Sequence, residues 1–215
     1  MNNSDNVDTT SVAIGTFHLP WAHEKAKHLF EPHMEPLTNY VLKMRQEAPG
    51  KSVPFFDTDD GGIHGRVLIL KEAPGPTAIH SQFVAPENGG QTAKNMREMR
   101  IEAGLDQKFV VNWNIVPWYV GNETRTRIAP ASKNDMDESR PYLQILLDLL
   151  PNLRAVVLMG GKAQKGWITG KFRTVSGLEI IETSHPSPLA VNTRQGARES
   201  IVAGFKRAQQ LASEL

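Results

Sequence analysis

Four times along the chain a short apolar, β-branched run is followed by a segment with helical spacing, and that alternation restricts the fold more than any other feature. The runs cover 66–70, 109–116, 155–159 and 178–183, and the helical segments 92–103, 140–150, 162–167 and 194–214. Repeated strand and helix units build a parallel sheet covered on both faces. The expectation is an α/β protein, a three-layer α/β/α sandwich around a short, mainly parallel four-stranded sheet. Ahead of it, helices are expected over 21–30 and 36–47, where Leu37, Tyr40, Val41 and Met44 recur at helical spacing before Pro49-Gly50 stops the pattern. Residues 1–11 are polar and read as a disordered tail. The rest, 12–215, reads as one domain, with N-terminal helices in 12–50 and the sheet with its loops in 63–215.

A chain of 215 residues can bury most of the surface its unfolded form exposes. It has no cysteine, which excludes disulfides, thiolate-held metals and iron-sulfur clusters. No apolar run approaches membrane-spanning length, and the first eleven residues lack the apolar core of a signal peptide. A cytoplasmic protein with no membrane partner is expected, associated with the nucleoid in a bacterium. His18, His23, His28 and His33 fall five residues apart, but that step turns a helix by about 140° and points successive rings away from one another. Asp57, Asp59 and Asp60 do not follow a calcium-loop spacing, so they read as a solvated turn. Neither metal nor cofactor is expected.

The net charge is +1, yet residues 1–120 carry 11 Lys/Arg against 14 Asp/Glu, and residues 121–215 carry 13 against 9. The densest basic stretch, 160–173, holds Lys162, Lys165, Lys171 and Arg173 around Trp167 with no acid. A phosphate-facing surface and a solvated helix face explain it equally well.

Ligands of such sheets sit beyond the carboxyl ends of the strands, so the residues at those ends are the informative ones. After the first strand comes Lys71-Glu72-Ala73-Pro74-Gly75-Pro76; the second contains Asn112-Trp113-Asn114; after the third comes Gly160-Gly161; after the fourth comes Ser184-His185-Pro186-Ser187-Pro188-Leu189. The two prolines stiffen the last loop, and Leu189 stands near its tip, where burial gives no reason for a large aliphatic side chain. Carboxylate, amide, imidazole, hydroxyl and exposed glycines converge on one crevice, with Phe83 as an expected aromatic wall.

Taken together these stretches resemble the uracil-DNA glycosylase superfamily. Glu72-Ala73-Pro74-Gly75 looks like the family's first motif, as its iron-sulfur branch writes it, and His185-Pro186-Ser187-Pro188-Leu189 looks like the second motif of the best-known uracil-excising branch. Asn114 falls where the family places its base-reading asparagine, and Gln82-Phe83-Val84 resembles the segment whose ring stacks on the flipped base. The likeness runs in order from about Gly65 to the C-terminus. It departs at three points: there are no cluster-binding cysteines, Ala73 stands where one branch has a water-positioning aspartate, and Lys71 replaces the usual first glycine.

The resemblance implies a monofunctional DNA glycosylase that hydrolyses the N-glycosidic bond of uracil in DNA and leaves an abasic site, acting as a monomer on DNA containing uracil or related damaged bases. Asn114 would read the uracil edge and Phe83 would stack on the base, with Ala73, Pro74 and Gly75 lining the pocket. His185 would donate to uracil O2 as charge grows there, as in an oxyanion hole. Glu72 is the nearest water-positioning candidate, with Glu87 and Asn88 as others; a structural carboxylate at that position is an open alternative. Ser187, Pro188, Leu189 and Lys162 would meet DNA, Leu189 as the wedge that fills the vacated stack. Lys71 reads as a phosphate or salt-bridge partner. Gly75 stands where the uracil-only branch has a bulky aromatic, so 5-substituted uracils should be excluded less sharply. Two rivals remain: a glycosylase-like protein that grips abasic or uracil-bearing DNA with little turnover, and an unrelated hydrolase or transferase of small nucleosides.

Overall fold

The computed structural model describes residues 16–214; the expected tail over 1–11 lies outside them. The strands are β1 (Phe55–Phe56), β2 (Val67–Lys71), β3 (Phe83–Val84), β4 (Val110–Asn114), β5 (Ala155–Met159) and β6 (Glu179–Thr183). The helices are α1 (Pro20–Ala26), α2 (Glu35–Glu47), α3 (Pro76–Ser81), α4 (Gln91–Ala103), α5 (Lys133–Asp148), α6 (Gly161–Gly170), α7 (Pro188–Thr193) and α8 (Ala197–Ser213). Four strands pair in parallel in the order β4-β2-β5-β6, and β1 and β3 form a separate parallel pair.

Alternation along the strands divides the core into two layers. Val67, Ile69, Val110, Ala155, Val157 and Met159 pack with Met99 of α4 and Ile201, Phe205 and Ala208 of α8. Leu68, Leu70, Val111, Trp113, Val156 and Leu158 pack with Leu37, Val41 and Met44 of α2 and Leu143 and Leu146 of α5. This is the expected three-layer α/β/α sandwich. The N-terminal helices belong to its second core: α2 covers β1, and Phe56 stacks on Trp113 with ring centroids 3.7 Å apart.

Several elements differ from expectation. The first helix stops at Ala26 and continues as turns. Helix α5 begins at Lys133 and carries Pro141 in its interior; Ser132 and Asp135 form a reciprocal capping box that sets its start. The short helix α7 follows Ser187 directly, so Leu189 lies in a helical first turn rather than at a loop tip. The solvated turn at 57–60 is also corrected. Asp57 and Asp60 are buried and only Asp59 is exposed, because the buried Lys25 amine of α1 reaches the Asp57 carboxylate at 2.5 Å. Burial still pushes the Asp57 carboxyl up to about 6, with Lys25 opposing the rise.

Candidate active site

A crevice of about 440 Å³ opens at the carboxyl ends of β2 and β4 and under the loop after β6. Its lining includes Lys71, Glu72, Ala73, Pro74, Gly75, Asn114, His185 and Ser187. Residues drawn from three separate strand ends thus meet around one hollow, of a size common for small-molecule sites.

Asn114 ends β4 with its Cα in register with Lys71 of β2. It is 1% exposed, and its Nδ2 has no hydrogen-bond partner. A buried amide donor left unpaired costs about 1–3 kcal/mol in the resting protein. Two residues back on the same face, Asn112 donates through its backbone N and its Nδ2 to Asp60 Oδ2, at 3.1 and 3.0 Å. Burial, first, and the Asp57 charge, second, raise the Asp60 carboxyl above the ordinary carboxylate range, against the hydrogen bonds from Asn112. Its Oδ1 and the Asn112 Oδ1 are likewise buried without partners.

His185 is held from both sides. Ser187 N–H donates to its Nδ1 at 3.1 Å, which leaves the proton of a neutral ring on Nε2. Behind it lies Gly160, at φ +87°, where an added Cβ would come within 2.9 Å of the His185 Cβ. Glycine is needed there for both conformation and clearance. Burial, then the Lys71 charge, pushes the imidazole down to about 4.

Asn95 of α4 is a contributor that sequence reasoning missed. It is buried, and its Nδ2 donates to the Pro186 carbonyl at 2.8 Å while its Oδ1 accepts from Gln91. The signal is a polar residue within an apolar stripe of period four, Asn95, Met99, Ala103. Asn95→Leu orphans the Pro186 carbonyl, and should cost about 1–3 kcal/mol in a denaturant titration while loosening the His185 loop.

The other expected residues divide. Ala73, Pro74 and Gly75 line the crevice, and a Cβ on Gly75 would meet nothing within 4 Å. Neither Trp118, which is 1% exposed, nor Tyr119, whose hydroxyl donates to the Arg127 carbonyl, borders that space. Glu72 lines the crevice with one oxygen committed: Oε1 accepts from the Ala131 backbone N at 2.7 Å. Lys162 donates to the Ala131 carbonyl at 2.8 Å, so carboxylate and ammonium together pin the residue before the α5 cap. Glu87 is exposed, 3.5 Å from Lys25, and the Asn88 amide is tied to Ser81 and the Phe83 carbonyl. Ser187 caps α7 by accepting from Ala190 N at 3.3 Å, Pro188 opens that helix, and Leu189 is 75% exposed.

Phe83 is a correction. Its ring is fully buried against Phe17, Trp21 and Phe55 and does not border the crevice. Successive residues of a strand face opposite ways, and it is Val84 that reaches the crevice. Among the described residues no Phe, Tyr or Trp lines it; Pro74, Val84, Pro86 and Met96 supply the apolar walls. Lys71 also departs from expectation as a salt-bridge partner. Its side chain lines the crevice with no hydrogen bond or ion pair to a described residue. Burial pushes its ammonium down to about 8, against the opposing pull of Asp60.

No curated protein sequence matches the chain. A family model does: that of the uracil DNA glycosylase superfamily matches residues 58–208, from within the buried aspartate loop into α8 and including every crevice residue named above. That match spans most of the chain, and the chain therefore belongs to the uracil-DNA glycosylase superfamily.

Proposed function

We propose that the protein hydrolyses the N-glycosidic bond of uracil in DNA, leaving an abasic site in an intact strand. The observation that carries this reading is the Asn114 amide, buried at the crevice with an unpaired donor and brought together with a neutral, oriented His185. The amide offers a donor for uracil O4 and an acceptor for N3–H, a combination that cytosine mismatches. His185 Nε2–H donates to O2 as the departing pyrimidine gathers negative charge, and a water adds to C1′ of the sugar. Extrusion of the nucleotide costs a few kcal/mol, and the exposed Leu189 fills the gap in the stack. Glu72 lines the crevice, keeps one oxygen free of the Ala131 contact, and in this scheme positions the attacking water. Incubation with a uracil-containing oligonucleotide followed by alkali tests the roles: wild type should cut, and Asn114→Ala, His185→Ala and Glu72→Ala should each cut more slowly. Equal cutting by all four would dismiss the assignment.

One observation favours a second reading, a protein that holds uracil-bearing or abasic DNA with little turnover. Ala73 stands in the crevice where a water-positioning carboxylate would be useful. A gel shift with an abasic oligonucleotide beside the turnover assay separates the two.

Gly75 sets the breadth of the substrate range. With open space at its Cβ and an unstrained φ of −79°, it leaves room for a substituent at C5 of the pyrimidine. Wild type should release 5-hydroxymethyluracil at a rate within about tenfold of uracil, whereas Gly75→Tyr should retain uracil release and lose the substituted base, a shift worth about 1–3 kcal/mol. Identical substrate ranges for the two proteins would disprove it.

A further inference from the structure

The crevice contains a group that base excision does not use. Lys71 ends β2 beside Glu72, its Cα paired in register with that of Asn114, and its side chain lines the hollow with no hydrogen bond or ion pair to a described residue. Other lysines with a place in the fold are engaged: Lys25 binds Asp57 and Asp59, Lys51 binds Glu138, and Lys162 binds Ala131. A lysine desolvated in a protein wall with no ion pair loses its proton more readily than one in water, and a neutral amine is a nucleophile toward carbonyl carbon. The base reader and the sugar carbon of a bound nucleotide are separated by only the base itself, so C1′ falls within the same hollow.

We propose that Lys71 captures the abasic product as a covalent imine. The inference rests on the reading of the crevice as a site that receives a nucleotide and exposes its C1′. In the open-chain form of the abasic sugar C1′ is an aldehyde; the Nζ lone pair adds to it, the carbinolamine forms, and loss of one water leaves the C1′=Nζ double bond. Water returns the amine and the aldehyde by the reverse path, so the capture is reversible and consumes no oxidant or reductant. Burial lowers the Lys71 ammonium to about 8, which places an appreciable neutral fraction near physiological pH. Such a bond gives the protein a means of holding a reactive product.

The test uses the full chain with an oligonucleotide carrying a preformed abasic site, so that capture does not depend on excision, and sodium borohydride, whose hydride reduces the imine to a stable amine. Wild type should give a borohydride-dependent covalent complex, and peptide mass mapping should place the sugar on Lys71. Lys71→Arg keeps the charge without the nucleophile, and it should lower the adduct about tenfold or more. Unchanged binding of that variant to a tetrahydrofuran oligonucleotide, which has no aldehyde, shows that the crevice is intact. An adduct in Lys71→Arg as abundant as in wild type overturns the proposal, as does absence of any adduct in wild type that releases uracil. An adduct on preformed abasic DNA without uracil release supports capture and removes the excision reading instead.

Discussion

Asn114→Leu should raise the thermal midpoint of the protein while lowering uracil release by about a hundredfold or more. The two effects share one cause. In the resting protein the Asn114 Nδ2 is buried with no acceptor, and a desolvated donor in that position costs about 1–3 kcal/mol. Leucine has a similar shape and nothing to desolvate. For a chain of this size each kcal/mol shifts the midpoint by roughly 2–4 °C, so a rise of several degrees is expected by calorimetry. The same substitution removes both polar contacts proposed for the uracil edge, and a site built to make hydrogen bonds loses heavily when they go. A structural asparagine predicts the opposite pair of results, a lower midpoint with activity retained. Asn112, on the same strand face, provides the comparison: its Nδ2 is engaged with Asp60, so Asn112→Leu should destabilise.

The four sheet strands were legible because buried parallel strands read as continuous β-branched runs, and the observed strands lie within those runs apart from the shift of β2 by one residue to Lys71. Helix α5 reads short from sequence because Pro141 looks like a helix start; it is instead exposed on the helix surface, and the capping box at Ser132 lies well upstream. That Asn114, His185 and Glu72 would line one crevice was legible because in each case a polar residue type coincided with a strand end. The site was not legible where phase decided. On a strand of two residues nothing in the sequence tells which of Phe83 and Val84 faces the crevice, and pairing with β1 settled it against the larger ring. Burial of Asp60 was equally hidden, since its carboxyl oxygen is met by Asn112 from a strand far away in sequence.

The rate of uracil release should stay level as pH falls through the ordinary histidine range and decline only near 4, and His185→Ala should lose about 10²–10³ in rate, the worth of one well-placed donor. The acid limit originates in the loop. Ser187 N–H donates to Nδ1, so protonation of that nitrogen sets two donors against each other and unseats the ring. Burial, first, and the facing Lys71 ammonium, second, oppose protonation and lower the pKa to about 4 from the ordinary 6.5. The same shift has a sign in stability. Between those values the unfolded chain binds the proton and the folded chain does not, so the contribution is complete above 6.5 and is lost as pH falls towards 4. Asp57, raised from 3.8 to about 6, works in the other direction: its contribution is complete below 3.8 and is lost as pH rises through 6. The total therefore masks both, but the difference between wild type and His185→Ala isolates the imidazole, because Asp57 titrates in each. Unfolding free energies measured from pH 7 to 4 should converge for the two proteins as the histidine advantage disappears, and a rate that instead halves near pH 6.5 would mean that His185 carries a proton in the resting enzyme and that the donor argument fails.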